Sequence, residues 1–196
     1  MLGLAEITKQ VVGNYKLQKW FLSLPSGRPY ACDAISFLTE HFTHQASILE
    51  LGCGIAQNLA VLWDLGFRNL WGIEADPDTF MGAVDLCAEL GVDVNLACGD
   101  AELVTFRGTF DAILPLNWTY QEGIDISGML VAWHYVLRPG GVTIIDIIDS
   151  DLEPEIAPEY VQRFSASEFE KIVASRYRII QIKDYFPRHV YYLEKI

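Results

Sequence analysis

The stretch ILELGCGIAQN, residues 48–58, opens as an apolar run and turns acidic and small at Glu50, Gly52, Gly54 and Ala56. A strand that ends in glycines ahead of a helix brings backbone N–H groups and a helix amino terminus together, which favours a carboxylate or a phosphate. Gly52 and Gly54 permit unusual torsions and the close approach of a ligand. Glu50 asks for the opposite charge, so a partly cationic ligand suits the stretch better than a pyrophosphate. The dinucleotide fingerprint also needs a small residue three positions after its second glycine, where Gln57 stands. Two more acids fall at expected strand ends. Glu74, about 20 positions on, is placed to accept hydrogen bonds from both hydroxyls of a ribose, and Asp100, after Gly99, to meet an adenine amino group.

The elements that must position these acids follow from hydrophobic period. SILEL, NLWGIE, VDVNLAC, FDAILPL and GVTIIDII read as strands; NLAVLWDLG, PDTFMGAVDLCAELG and ISGMLVAWHYVL between them read as helices. Such alternation predicts a parallel sheet with helices on both faces. The helix at 77–90 has an Asp76 cap, Pro77 at its first position, an apolar series at Phe80, Val84 and Cys87, and Gly91 to end it. A helix capped by Ser165 or Ser167 follows an acidic, proline-interrupted stretch at 149–160. The end, RYRIIQIKDYFPRHVYYLEKI, reads as two strands joined by a short connection, which makes them antiparallel. Residues 1–45 carry helical patterns with Tyr15, Trp20, Phe21 and Tyr30, and read as a helical flank or lid on a single domain at 46–196.

Composition limits the partners. With 196 residues, 51% hydrophobic, the chain is long enough for one well-cored domain. A net charge of −12, from 26 acidic against 14 basic residues, disfavours a nucleic-acid partner. The amino terminus lacks a signal pattern and no long apolar run is present, so no membrane is expected and the cytoplasm is the expected location. Cys32, Cys53, Cys87 and Cys98 are too dispersed for a disulfide framework or a metal site, and read as small buried hydrophobes.

Taken together, ELGCGIA, Glu74, the GDA at 99–101, FDAILPLN and VLRPGG resemble the Rossmann-like (class I) S-adenosylmethionine-dependent methyltransferases over roughly residues 46–148. The resemblance implies an α/β three-layer sandwich around a mostly parallel seven-stranded sheet with a C-terminal antiparallel hairpin. It implies S-adenosyl-L-methionine as cofactor. Glu50, Gly52 and Gly54, with Cys53 between them, then cradle the methionine end; Glu74, with Ala75 beside it, binds the ribose. Asp100 and Ala101 meet the adenine, and Leu116 and Asn117 lie beside the transferred methyl. The ligand's sulfonium and ammonium give Glu50 a reason to be there.

Methyl transfer from a sulfonium needs alignment and exclusion of water more than it needs a base. Asn117, Trp118, Tyr120, Asp146 and Asp149 are candidates for acceptor contact, with Asn117, Tyr120 and Asp146 the candidate catalytic groups; His134 and His189 read as structural. The expected activity is methylation of a small molecule at nitrogen or oxygen. Aminopropyl transfer, methylation of a protein and a non-catalytic cofactor-binding module are the alternatives. Oligomeric state is not legible.

Overall fold

The computed structural model describes residues 3–101, 109–117, 123–150 and 163–196. The chain divides into two compact units, Met1–Thr105 and Phe106–Ile196. Its seven strands form one sheet in the order β3-β2-β1-β4-β5-β7-β6, mostly parallel with antiparallel strands at the carboxyl end of the chain.

In the first unit, β1 (Ser47–Leu51), β2 (Asn69–Glu74) and β3 (Asn95–Cys98) are parallel. Ile48, Leu49 and Leu51 are wholly buried, as the unbroken apolar run requires of a strand covered on both faces. Between the strands run α3 (Gln57–Asp64) and α4 (Pro77–Leu90), with α1 (Leu4–Asn14) and α2 (Pro29–His41) ahead of them. α4 has the expected ends: Asp76 accepts from the Thr79 N–H at 2.8 Å, and Gly91 closes the helix at φ 65°. Its buried stripe is different from the one expected. Thr79, Gly82, Ala83, Leu86 and Cys87 face inward, whereas Val84 is exposed and Phe80 half-buried. The cause is helix–helix packing: a Cβ on Gly82 would meet Val11 of α1 at 2.9 Å, so the small side of α4 is the one that lets α1 approach.

The second unit holds β4 (Phe110–Leu114) parallel to β5 (Leu137–Ile148), and β7 (Arg188–Lys195) antiparallel both to β5 and to β6 (Tyr177–Tyr185). α5 (Ile126–Val136) precedes β5 and α6 (Ala166–Val173) precedes β6. The residues LRPGG, expected ahead of β5, belong to it; Gly140 at φ 73° and a register shift between Phe110 and Ala112 accommodate them. Ser165 caps α6, with Glu168 completing a capping box. Among the described residues, no helix is long and apolar enough to cross a membrane.

Candidate functional site

Glu50 is the fourth residue of β1, 2% exposed, and in register with Gly72 of β2. Asn58 of α3 donates its side-chain amide to Glu50 Oε1 at 2.5 Å. Glu50 Oε2 is buried and has no hydrogen-bond partner. Burial pushes the carboxyl up to about 7, against the Asn58 hydrogen bond and the field of Arg28; the charge of Glu74 adds to the rise. A buried acid with one oxygen unmet is stabilised by a cationic ligand group.

The loop that follows is built for close approach. Gly52 and Gly54 lie at φ 63° and 56°, the left-handed region where a side chain is strained. A Cβ on Gly54 would also meet the Phe21 ring at 2.7 Å. Ala56, at φ 61°, is the residue before α3, and no side chain caps that helix. The positive end of the helix dipole is therefore left for an anionic group.

Glu74, at the end of β2, ties the loop to its neighbour. Its Oε2 accepts the Gly54 N–H and its Oε1 the Asp76 N–H, both at 2.9 Å. Each oxygen keeps a second lone pair, enough for one hydroxyl of a diol. Asp76 is occupied as a helix cap, its carboxyl held below the ordinary range by the Thr79 hydroxyl and N–H. Ala75 and Asp100 are exposed and Ala101 is buried. Cys53 is buried, with its thiol raised well above the usual value by burial and then by the charges of Glu50 and Glu74, so it is not a nucleophile. Cys98, expected to be buried, is exposed at the edge strand β3.

Residues ahead of β1 join this loop, a contribution absent from the motif. Gln57 donates to the Phe21 carbonyl at 2.9 Å and to the Thr8 hydroxyl at 3.3 Å. Arg28 Nη2 donates to Gln57 Oε1 at 3.1 Å and to Asn58 Oδ1 at 3.5 Å. Trp20 stacks on Phe21 with centroids 3.8 Å apart and stays half in solvent. Tyr15 is tied elsewhere, donating to Asp85 at 2.7 Å. Gly72 is a further requirement: a Cβ there would meet Cys53 and Leu59 at 2.8 Å.

The second unit has its own polar cluster. Asp146 of β5 is wholly buried; its Oδ1 accepts the Asn117 N–H at 2.7 Å and its Oδ2 the Arg188 guanidinium. Burial raises its carboxyl, opposed by Arg188 and the Asn117 N–H. Asn117 lies at φ 63°, so Asp146 holds a strained turn just past β4 and the buried Leu116. On the other face of the sheet, His189 bridges Asp149 at 2.8 Å and Asp184 at 2.6 Å. Burial works against its charge, but the two acids raise its pKa overall. His134 meets the Ile196 carbonyl at 3.2 Å. Trp118 and Tyr120 lie outside the described residues, as does most of the acidic stretch at 149–160. Among the described residues, no three His, Cys, Asp or Glu side chains group as a metal site.

Residues 48–141 match the family described as a methyltransferase domain. No curated protein sequence matches the chain. Several solved structures share its fold. The PH0226 protein of Pyrococcus horikoshii OT3 matches at TM-score 0.74 and 16% identity, over 92% of this chain and 100% of that one. Magnesium protoporphyrin IX methyltransferase (ChlM) from Synechocystis PCC 6803, with bound SAM, matches at 0.69 and 12%, over 85% and 78%. The 1,6-didemethyltoxoflavin-N1-methyltransferase of Burkholderia thailandensis, with bound 1,6-didemethyltoxoflavin and S-adenosylhomocysteine, matches at 0.66 and 18%, over 85% and 78%.

Proposed function

The chain carries an S-adenosylmethionine-dependent methyltransferase domain, and from that premise we propose that it methylates a small molecule at nitrogen or oxygen. The observation that carries the site assignment is the buried, unmet Oε2 of Glu50 beside two left-handed glycines. Glu50 receives the ammonium of the amino-acid end, Gly52 and Gly54 let the ligand lie against the backbone with Cys53 packed beneath, and Glu74 takes the ribose hydroxyls with Ala75 beside it. Asp100 and Ala101 border the adenine. When bound, the cofactor supplies a methyl group already activated by its positive sulfur.

The protein's remaining task is alignment and exclusion of water, worth up to about 7–11 kcal/mol in favourable cases. Asp146 serves by fixing Asn117 rather than by taking a proton, because its two oxygens are committed to the Asn117 N–H and to Arg188. Residues 1–45 act as a lid, with the half-exposed Trp20 ring on Phe21 offering a face to a flat acceptor. The names of the two methyltransferases above give magnesium protoporphyrin IX and 1,6-didemethyltoxoflavin, neither of them a protein.

A panel of small amines, phenols and heteroaromatic rings, incubated with labelled S-adenosylmethionine, tests this reading. Methylation of a panel member, weakened by Trp20→Ala with cofactor affinity intact, is the expected result. Label appearing only in protein, or cofactor binding with no turnover across the panel, would reject it. Transfer of an aminopropyl group from decarboxylated S-adenosylmethionine would replace it.

A further inference from the structure

We propose that Arg28, from the segment ahead of β1, is the receptor for the cofactor's carboxylate, so that this segment selects a nucleoside with an intact amino-acid tail. The inference rests on the cofactor reading above and extends it to a residue outside the glycine motif.

Among the described residues of the first unit, two buried side-chain atoms lack hydrogen-bond partners and belong to groups of opposite charge: Glu50 Oε2 and Arg28 Nε. One side chain links their groups. The amide nitrogen of Asn58 donates to Glu50 Oε1, and its amide oxygen accepts from Arg28 Nη2. Carboxylate and guanidinium are thus held at the two ends of a single amide, close enough for Arg28 to lower the pKa of Glu50. Gln57 fixes the guanidinium from the first turn of α3. A desolvated guanidinium N–H without an acceptor is costly, as is a desolvated carboxylate oxygen without a donor. Both are met at once by a ligand bearing an ammonium and a carboxylate on the same carbon. The uncapped amino end of α3 adds positive potential on the side where the anion is needed.

Other cations of the first unit do not suit the role. Lys9, Lys16 and Lys19 are exposed. Arg68 is spent at the far end of α3, donating to the Trp63 and Phe67 carbonyls and lying over the Trp63 ring. Arg28 also shares Gln57 with the Phe21 carbonyl and the Thr8 hydroxyl, so the segment is pinned to the loop it serves before any ligand arrives.

The test is calorimetry on the full chain with S-adenosylmethionine and its decarboxylated form, which lacks only the carboxylate. Wild type is expected to prefer the intact cofactor by at least about 10-fold, as a charge-assisted hydrogen bond implies. Arg28→Gln is expected to bring the two affinities within about 2-fold of each other by weakening only the intact one. Arg28→Lys retains the charge without the guanidinium fork and is expected to keep part of the preference. Equal loss for both ligands in Arg28→Gln, full preference in Arg28→Lys, or no preference in wild type would overturn the assignment. If Arg28→Gln fails to fold, absence of a preference in wild type still overturns the assignment, and the partial preference expected of Arg28→Lys supports it. A wild type that binds neither ligand nor S-adenosylhomocysteine removes the wider cofactor reading, whereas equal binding of both removes Arg28 alone.

Discussion

Among the described residues, each unit buries one carboxylate near the carboxyl end of a strand, Glu50 on β1 and Asp146 on β5, and the two are finished differently. Asp146 has an N–H on one oxygen and a guanidinium on the other. Glu50 has Asn58 on one oxygen and nothing on the other. Burial raises both acids. The closed carboxylate sets the shape of a turn, whereas the open one stores an electrostatic deficit that a cationic ligand relieves. The difference separates a group that stabilises the fold from one that gives up stability for binding.

The largest effect expected to expose this contrast is on folding. Asp146→Ala removes a largely buried ion pair with Arg188 and the acceptor of the Asn117 N–H, and should cost about 3–5 kcal/mol in urea unfolding. An unchanged midpoint would show that Asp146 is as open as Glu50. The next effect is on the pH dependence of stability. The Glu50 carboxyl moves from about 4.5 to about 7 on folding. Between those values the folded chain holds a proton that the unfolded chain has released, so stability falls as pH rises through the window and levels off above it. Wild type should lose on the order of 2–3 kcal/mol between pH 5 and pH 8, with Glu50→Gln losing much less over the same range. Parallel curves for the two proteins would remove the deficit.

Smaller changes sharpen the picture of the open site. Glu74→Ala should weaken S-adenosylmethionine and S-adenosylhomocysteine alike by about 1–3 kcal/mol, through lost ribose hydrogen bonds and a loosened Gly54 amide. Unchanged affinity in calorimetry would reject the ribose assignment. Ala56→Gly should move stability least. Relief of a left-handed alanine returns about 1–2 kcal/mol and loss of a buried methyl removes about 0.8, so a gain of up to about 1 kcal/mol is expected in thermal unfolding.

What the sequence disclosed was local. The glycine loop, Glu74, the Asp76 and Gly91 ends of α4, the capped α6 and the terminal hairpin are each written within a few neighbouring residues, and all are present. What it concealed depends on contacts between distant segments. Nothing in LPSGRPY announces that Arg28 reaches Gln57 and Asn58, some thirty positions on. Gly72 reads as an ordinary strand glycine until Cys53 and Leu59 are found where its side chain would be. The buried face of α4 departs from the periodic apolar stripe for the same reason, because the approach of Val11 rewards a small stripe over a large apolar one. Asp146 announced an acid past the middle of a strand, but whether it was open or closed depended on Asn117 and Arg188 from other elements.

The most direct measurement of the central claim is the proton count on cofactor binding, from calorimetry of S-adenosylhomocysteine at pH 6.5 in buffers of different ionisation heat. If Glu50 is the open acid that receives the ammonium, wild type should release about 0.5–1 proton per ligand bound, and Glu50→Gln should bind far more weakly with no release. Tight binding with no proton exchanged, the same in both proteins, would contradict the account.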